Sequence, residues 1–243
     1  MKNIKKMTAV FLFTSSIAMA TDHYPSFREL DTDYSIYESS MMEKGLRRSP
    51  LSSSVKYDET KLPEATSWTS IAVMQKRFEE MRDFRFLSSR RNPDVLRRAS
   101  WNYPDDGCYA RASLAMRNIF RWFIPMPNKV FVFGNLRVKT DNSPRGVVGW
   151  WYHVAPIVQV NGIKYVLDPA IEKSKPLPLK EWLARMGTPE KIKVAICGSG
   201  TYSPGDNCDK ESDGLELRAE RAQMSYLEQE WSRMVRLGRE NEL

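Results

Sequence analysis

The sequence predicts an α+β fold, with helices packed on a mostly antiparallel sheet. Three observations carry this reading. Apolar residues recur at helical spacing in the segments before residue 125. β-rich runs follow from residue 130 onward. Asn161-Gly162 joins two of those runs, and Asn-Gly between β-rich runs is a strong hairpin signal.

The first 20 residues hold Lys2, Lys5 and Lys6, an apolar run Met7 to Phe13, and Ile17-Ala-Met-Ala20. This is the pattern of a secretory signal cut after Ala20. The run is too short to span a bilayer. No cysteine follows the cleavage site, which argues against a lipoprotein, and the product is expected to be secreted or periplasmic. Residues 21–65 are rich in Ser, Tyr, Glu and Arg without an apolar period, and read as a leader or a removable pro-segment. His23 lies there and reads as a tail residue.

The body is expected over 66–210. Ile71, Met74, Phe78, Met81, Phe84 and Leu87 form a helical stripe. Pro93 opens a new segment, and 94–100 reads as a short helix. A further stripe starts at Cys108 and runs through Ala112, Ala115, Met116, Ile119, Phe120 and Phe123, stopped by Pro125 and Pro127. Asp105, Asp106 and Gly107 stand at its N-cap. Strands are expected at 130–133, 136–139, 147–160, 163–167 and 191–196, with a short helix at 178–186. Residues 211–243 hold a long charged helix with Leu217, Met224, Leu227, Trp231, Met234 and Val235 as its apolar stripe, read as packing on the body.

The hairpin has a register. A two-residue turn pairs Val160 with Ile163, which sets Ala155 against Asp168 and His153 against Ala170. Side chains alternate along a strand, so His153 and Asp168 share a face one diagonal step apart, within side-chain reach. The same alternation puts Trp151 on the His153 face, as a candidate wall of a substrate cleft, and Trp150 on the other.

These placements point to thiol chemistry. Cys108 sits in the first turn of a helix, where the dipole favours thiolate. The chain has two histidines, His23 and His153, which leaves a thiol enzyme almost no choice of base. An imidazole takes the thiol proton and returns it to a leaving amine. A carboxylate at Asp168 orients the ring and supports its charge. The Cys108 N–H, at a helix N-terminus, can serve as one oxyanion donor.

Composition narrows the classes further. The formal charge is +7, and loss of the signal's three lysines lowers it to about +4. Basic and acidic residues are interspersed, which favours an ordinary solvated surface over nucleic-acid binding. No cofactor, metal site or stable membrane insertion is expected, and the product reads as a monomer. Cys197 and Cys208 bracket a Gly- and Ser-rich loop, and export favours a disulfide between them. Closing so short a loop is worth about 3 kcal/mol in the chain-entropy view. Cys108 is then the odd, free thiol.

Three stretches carry a resemblance. They are Trp101-Asn-Tyr-Pro-Asp-Asp-Gly-Cys-Tyr-Ala-Arg-Ala-Ser113, Tyr152-His-Val-Ala-Pro156 and Val166-Leu-Asp-Pro169. Together they are similar to the bacterial protein-glutaminases, over roughly residues 66 to 200. That resemblance implies a transglutaminase-like or papain-like core and a Cys-His-Asp triad at Cys108, His153 and Asp168. It also implies hydrolysis of glutamine side-chain amides in protein substrates, through a thioester, to glutamate and ammonia. A transglutaminase and a papain-like cysteine protease would use the same triad. A non-catalytic exported interaction protein would keep only the fold.

Overall fold

The computed structural model describes residues 53–202, 208 and 215–243. The signal peptide, His23 and most of the expected leader lie outside the described residues. In chain order the elements are β1 (Val55–Lys56), α1 (Ile71–Asp83), α2 (Cys108–Phe120), β2 (Asn128–Lys139), β3 (Val147–Val160), β4 (Ile163–Val166), β5 (Leu177–Pro178), α3 (Leu179–Met186), β6 (Lys193–Cys197) and α4 (Leu215–Arg236). The six strands form one sheet in the order β1-β6-β2-β3-β4-β5. Every neighbouring pair is antiparallel. The α+β expectation therefore holds.

Apolar side chains on both faces of the central strands explain why the sheet is covered on both sides. Val130, Val132, Leu136, Trp150, Ala155 and Ile157 pack with Trp182, Leu183 and Met186 of α3. On the opposite face, Phe131, Phe133 and Val154 pack with Cys108 and Ala112 of α2. Val158 and Val160 meet Met74, Phe78 and Met81 of α1 together with Ala115 and Ile119 of α2. Ser70 caps α1, its side chain accepting the Val73 N–H.

The hairpin register is the one the Asn-Gly turn predicts. Ile157 pairs with Val166, Val158 with Tyr165, Gln159 with Lys164 and Val160 with Ile163. Asn161 and Gly162 sit at φ +51° and +79°, the left-handed pair that a two-residue turn of this twist requires. The Leu167 N–H donates to the Pro156 carbonyl at 2.9 Å, which carries the register toward Asp168 despite the proline.

Four expectations need correction. The packed body starts before residue 66: β1 pairs with β6, and Leu62 and Ala65 are core residues. Residues 94–100 are not a helix. Leu87 and Arg97 exchange backbone hydrogen bonds there, and the Ser100 N–H turns to Gln223 of α4, so the backbone is satisfied over long range. α1 ends at Asp83, which leaves Phe84 40% exposed and returns Leu87 to the core from a loop. Phe123, placed in the α2 stripe by spacing, is 96% exposed with φ +54°. The chain reverses there to enter β2 and swings the ring outward.

The expected disulfide between Cys197, at the end of β6, and Cys208 is formed, with Cα atoms 4.7 Å apart. Cys108 is a free, buried thiol. Among the described residues, no helix is long and apolar enough to cross a membrane.

Candidate active site

Cys108 is the first residue of α2, and the residues ahead of it explain why the helix starts there. Gly107 has φ +79° and its carbonyl accepts the Arg111 N–H at 2.9 Å. Asp106 Oδ1 accepts the Gly107 N–H at 2.7 Å. Arg111, buried beneath the loop, donates from Nη1 to the carbonyls of Tyr103 at 3.0 Å and Asp106 at 2.6 Å. Asp105, expected at the cap, instead pairs with Arg233 of α4 at 2.7 Å. The Cys108 N–H belongs to the first turn, whose N–H groups have no intrahelical partner.

His153 stands on β3 opposite Val132, and Asp168 follows β4. Both are buried, and His153 Nε2 lies 2.8 Å from Asp168 Oδ2. Asp168 is itself held from two sides. Its Oδ1 accepts the Ala170 N–H at 3.1 Å, and its Oδ2 accepts Trp182 Nε1–H at 3.0 Å. Burial pushes the imidazole pKa down, but the charge and hydrogen bond of Asp168, with a smaller part from Cys108, lift it to about 9. Burial alone would raise the Asp168 carboxyl. The His153 charge and hydrogen bond and the Trp182 donor hold it below its ordinary value instead. With Nε2 engaged by Asp168, Nδ1 is the nitrogen left for the thiol. Nδ1 has no hydrogen bond in this state, although Cys108 is near enough to raise the imidazole pKa. Such contacts tighten when substrate is bound.

The ring is held between two indoles. Trp150 stacks on it with centroids 4.5 Å apart and planes 11° from parallel, and Trp182 lies 5.7 Å away. Trp150 also donates from Nε1 to the Pro104 carbonyl at 3.0 Å, which ties the imidazole to the loop that leads into Cys108. This reverses the expected faces of Trp150 and Trp151. The β2–β3 register shifts between Phe133 and Leu136, so simple alternation fails across the Trp150–His153 step. Trp151 is half-buried and packs with Phe133 and Tyr152, in the layer that holds Cys108.

Sequence reasoning missed Trp182, Trp150's contact with His153, and Tyr152. Tyr152 packs against the Cys108 layer, and burial first, then the charges of Cys108 and Asp106, raise its phenol well above the ordinary value. Its one sequence signal was adjacency to His153. Trp182 had no local signal, since only the tertiary packing of α3 brings it to Asp168.

Residues 74–186 match a protein-family model described as Glutaminase. No curated protein matches the chain. A crystal structure of protein-glutaminase superposes with a TM-score of 0.50 and 20% identity, over 66% of this chain and 89% of that one. A crystal structure of pro-protein-glutaminase gives a TM-score of 0.50 and 22% identity, over 72% of this chain and 64% of that one. The NMR structure of protein-glutaminase from Chryseobacterium proteolyticum gives a TM-score of 0.46 and 20% identity, over 65% of this chain and 84% of that one. The segment that the family model matches begins in α1, contains Cys108, His153 and Asp168, and ends with α3. Over those residues the chain is similar to the glutaminase family, and it carries the protein-glutaminase fold.

Proposed function

We propose that this chain is an exported protein-glutamine glutaminase that works through Cys108, His153 and Asp168. The observation that carries the proposal is the buried 2.8 Å contact between His153 and Asp168 in the matched segment, with a free thiol at the start of α2 near enough to raise the imidazole pKa. The Cys108 thiolate attacks the carboxamide carbon of a protein-bound glutamine and forms the C–S bond. The Cys108 N–H steadies the oxyanion. The imidazolium gives its proton to the nitrogen, the C–N bond breaks, and ammonia leaves. Water then gives a proton to His153 and attacks the thioester, which releases glutamate and the thiol. Asp168 keeps the ring oriented and supports its charge throughout. Trp151 is proposed as a wall of the cleft, and the enzyme as a monomer acting on protein substrates.

Export rests on the signal pattern of residues 1–20 and fits the disulfide of Cys197 and Cys208. Of the expected leader, residues 21–52, which precede β1, are proposed as a leader or inhibitory pro-segment, tethered at high effective concentration to the cleft. Trimming by limited proteolysis should then raise specific activity, and an unchanged rate would reduce the segment to a linker.

The test of the reaction is incubation with a glutamine-rich protein, following free ammonia and intact substrate mass together. Ammonia with one unit of mass gained per site supports deamidation. Crosslinked species would replace it with transglutamination, and fragments with proteolysis.

A further inference from the structure

α4 lies outside the segment that the glutaminase family model matches, yet it reaches the residues on either side of Cys108. Its inward face buries Gln223, Glu230 and Arg233 alongside Ala219, Leu227 and Met234. Gln223 Oε1 accepts the Ser100 N–H at 3.0 Å and the Ser100 hydroxyl at 2.9 Å. Glu230 accepts the Asn102 N–H at 2.8 Å and pairs with Arg97 at 2.9 Å. Arg233 donates to Asp105 and to the Asn142 carbonyl, each at 2.7 Å. These contacts hold the loop that delivers Cys108, as buried polar groups require partners.

Tyr226 shares that face, three residues after Gln223 and four before Glu230. Its ring lies directly against Gly107: a Cβ there would stand 2.6 Å from Cδ2 and 2.8 Å from Cε2. Its hydroxyl is 2.8 Å from the Tyr109 hydroxyl. The ring stacks with Tyr103 at 6.2 Å and meets Tyr109 edge-on at 6.5 Å. One side chain of α4 thus touches the residue before Cys108 and the residue after it.

We propose that Tyr226 is a positioning residue for Cys108: its ring holds Gly107 in the left-handed conformation, and its hydroxyl holds Tyr109. The two contacts fix the direction of the Cys108 side chain and of its N–H. The physical case is that Gly107 is the N-cap, so a rotation there moves both the sulfur and the oxyanion donor relative to His153. Burial, the nearby Asp106 charge and the Tyr109 hydrogen bond raise the Tyr226 phenol above its ordinary value, which keeps it neutral at working pH.

This inference rests on Cys108 being the nucleophile, so its test includes a readout that needs no deamidation. Full-length Tyr226→Phe and Tyr226→Ala would be compared with wild type by steady-state kinetics on a protein substrate and on a small blocked glutamine peptide. Iodoacetamide alkylation of Cys108 and thermal melting would be measured on the same samples. Tyr226→Phe keeps the ring on Gly107 and loses one hydrogen bond, so kcat should fall about fivefold on both substrates with KM unchanged. Tyr226→Ala should lower kcat about 100-fold on both, as a misplacement of about 1 Å does, and slow Cys108 alkylation about tenfold. Normal kcat and normal alkylation in both variants, with only a lower melting temperature, would leave Tyr226 a packing residue and overturn the proposal. A rise in KM alone, confined to the protein substrate, would overturn it in favour of a substrate contact. If Tyr226→Ala does not fold, Tyr226→Phe decides by the same measures. Activity surviving in Cys108→Ala would instead sink the thiol reading, whatever Tyr226 does.

Discussion

The hairpin that carries His153 and Asp168 and the clamp that α4 closes on residues 97–107 are both buried, but different forces hold them. The hairpin is fixed by strand register, by an Asn-Gly turn and by apolar faces on β3 and β4. The clamp is fixed by charges and amides: Arg97 with Glu230, Arg233 with Asp105, and Gln223 with Ser100. Apolar contacts are non-directional and tolerate shifts, whereas a buried ion pair is weak as net stabilisation and costly to break on one side. In the proposed mechanism the hairpin half supplies the chemistry, and the clamp half the direction in which Cys108 meets it.

Breaking the chemical half gives the largest effect. Cys108→Ala should reduce turnover to background, leave the melting temperature close to wild type, and remove the one thiol that iodoacetamide labels. Next comes Asp168→Asn, which keeps the shape, removes the charge and presents Nε2 with an amide. Its kcat should fall by a factor of about 10,000 with little change in KM. An unchanged rate would show Asp168 to be only a turn residue.

Arg233→Met tests the clamp by the opposite pattern. It removes the guanidinium that pairs with the buried Asp105 carboxylate, so unfolding free energy should drop by about 3–5 kcal/mol in denaturant titration. His153 and Asp168 stay in place on the hairpin, so folded molecules should lose far less than the Asp168 variant does. Equal losses of activity in the two variants would erase the distinction between the halves.

Stability against pH separates the halves again. The His153 pKa is raised from 6.5 in the unfolded chain to about 9 in the fold. Its contribution is therefore complete below 6.5 and is lost as pH rises through about 9. Asp168, held below its ordinary 3.8, contributes above that value and loses it as pH falls lower. Asp168→Asn should flatten the alkaline limb of a melting profile, while Arg233→Met should shift the whole profile down. The smallest effect belongs to the turn: Gly162→Ala at φ +79° meets no atom within 4 Å, so it should cost only the strain of about 1 kcal/mol in chemical denaturation.

The same division decided what the sequence made legible. The hairpin register, the start of α2 at Cys108, the helix at 178–186 and the Cys197–Cys208 pair all follow from local rules of turn, cap and spacing. Those rules placed His153 beside Asp168 without any tertiary knowledge. They failed for Trp150 because a shift in the neighbouring strand's register changes which way an indole points. For α4 they found Leu227 and Met234, which are buried, but missed Gln223, Glu230 and Arg233, which look like solvent-facing residues by type. The expected stripe put Leu217 inward, where it is 54% exposed, and the buried face uses polar side chains whose partners lie more than a hundred residues away. The segment 94–100 was misread because its backbone partners lie elsewhere in the chain, at Leu87 for Arg97 and at Gln223 of α4 for Ser100.

The imidazole's place between Trp150 and Trp182 has an optical consequence. A protonated imidazole beside an indole interacts with its π face and drains its excited state, while the neutral ring does so far less. The proposed general base therefore carries its own reporters at 4.5 Å and 5.7 Å. The chain has seven tryptophans, so the signal is the difference between wild type and Trp150→Phe or Trp182→Phe. Emission should brighten as His153 gives up its proton near pH 9, which would let the resting charge of the site be read in solution without substrate or label.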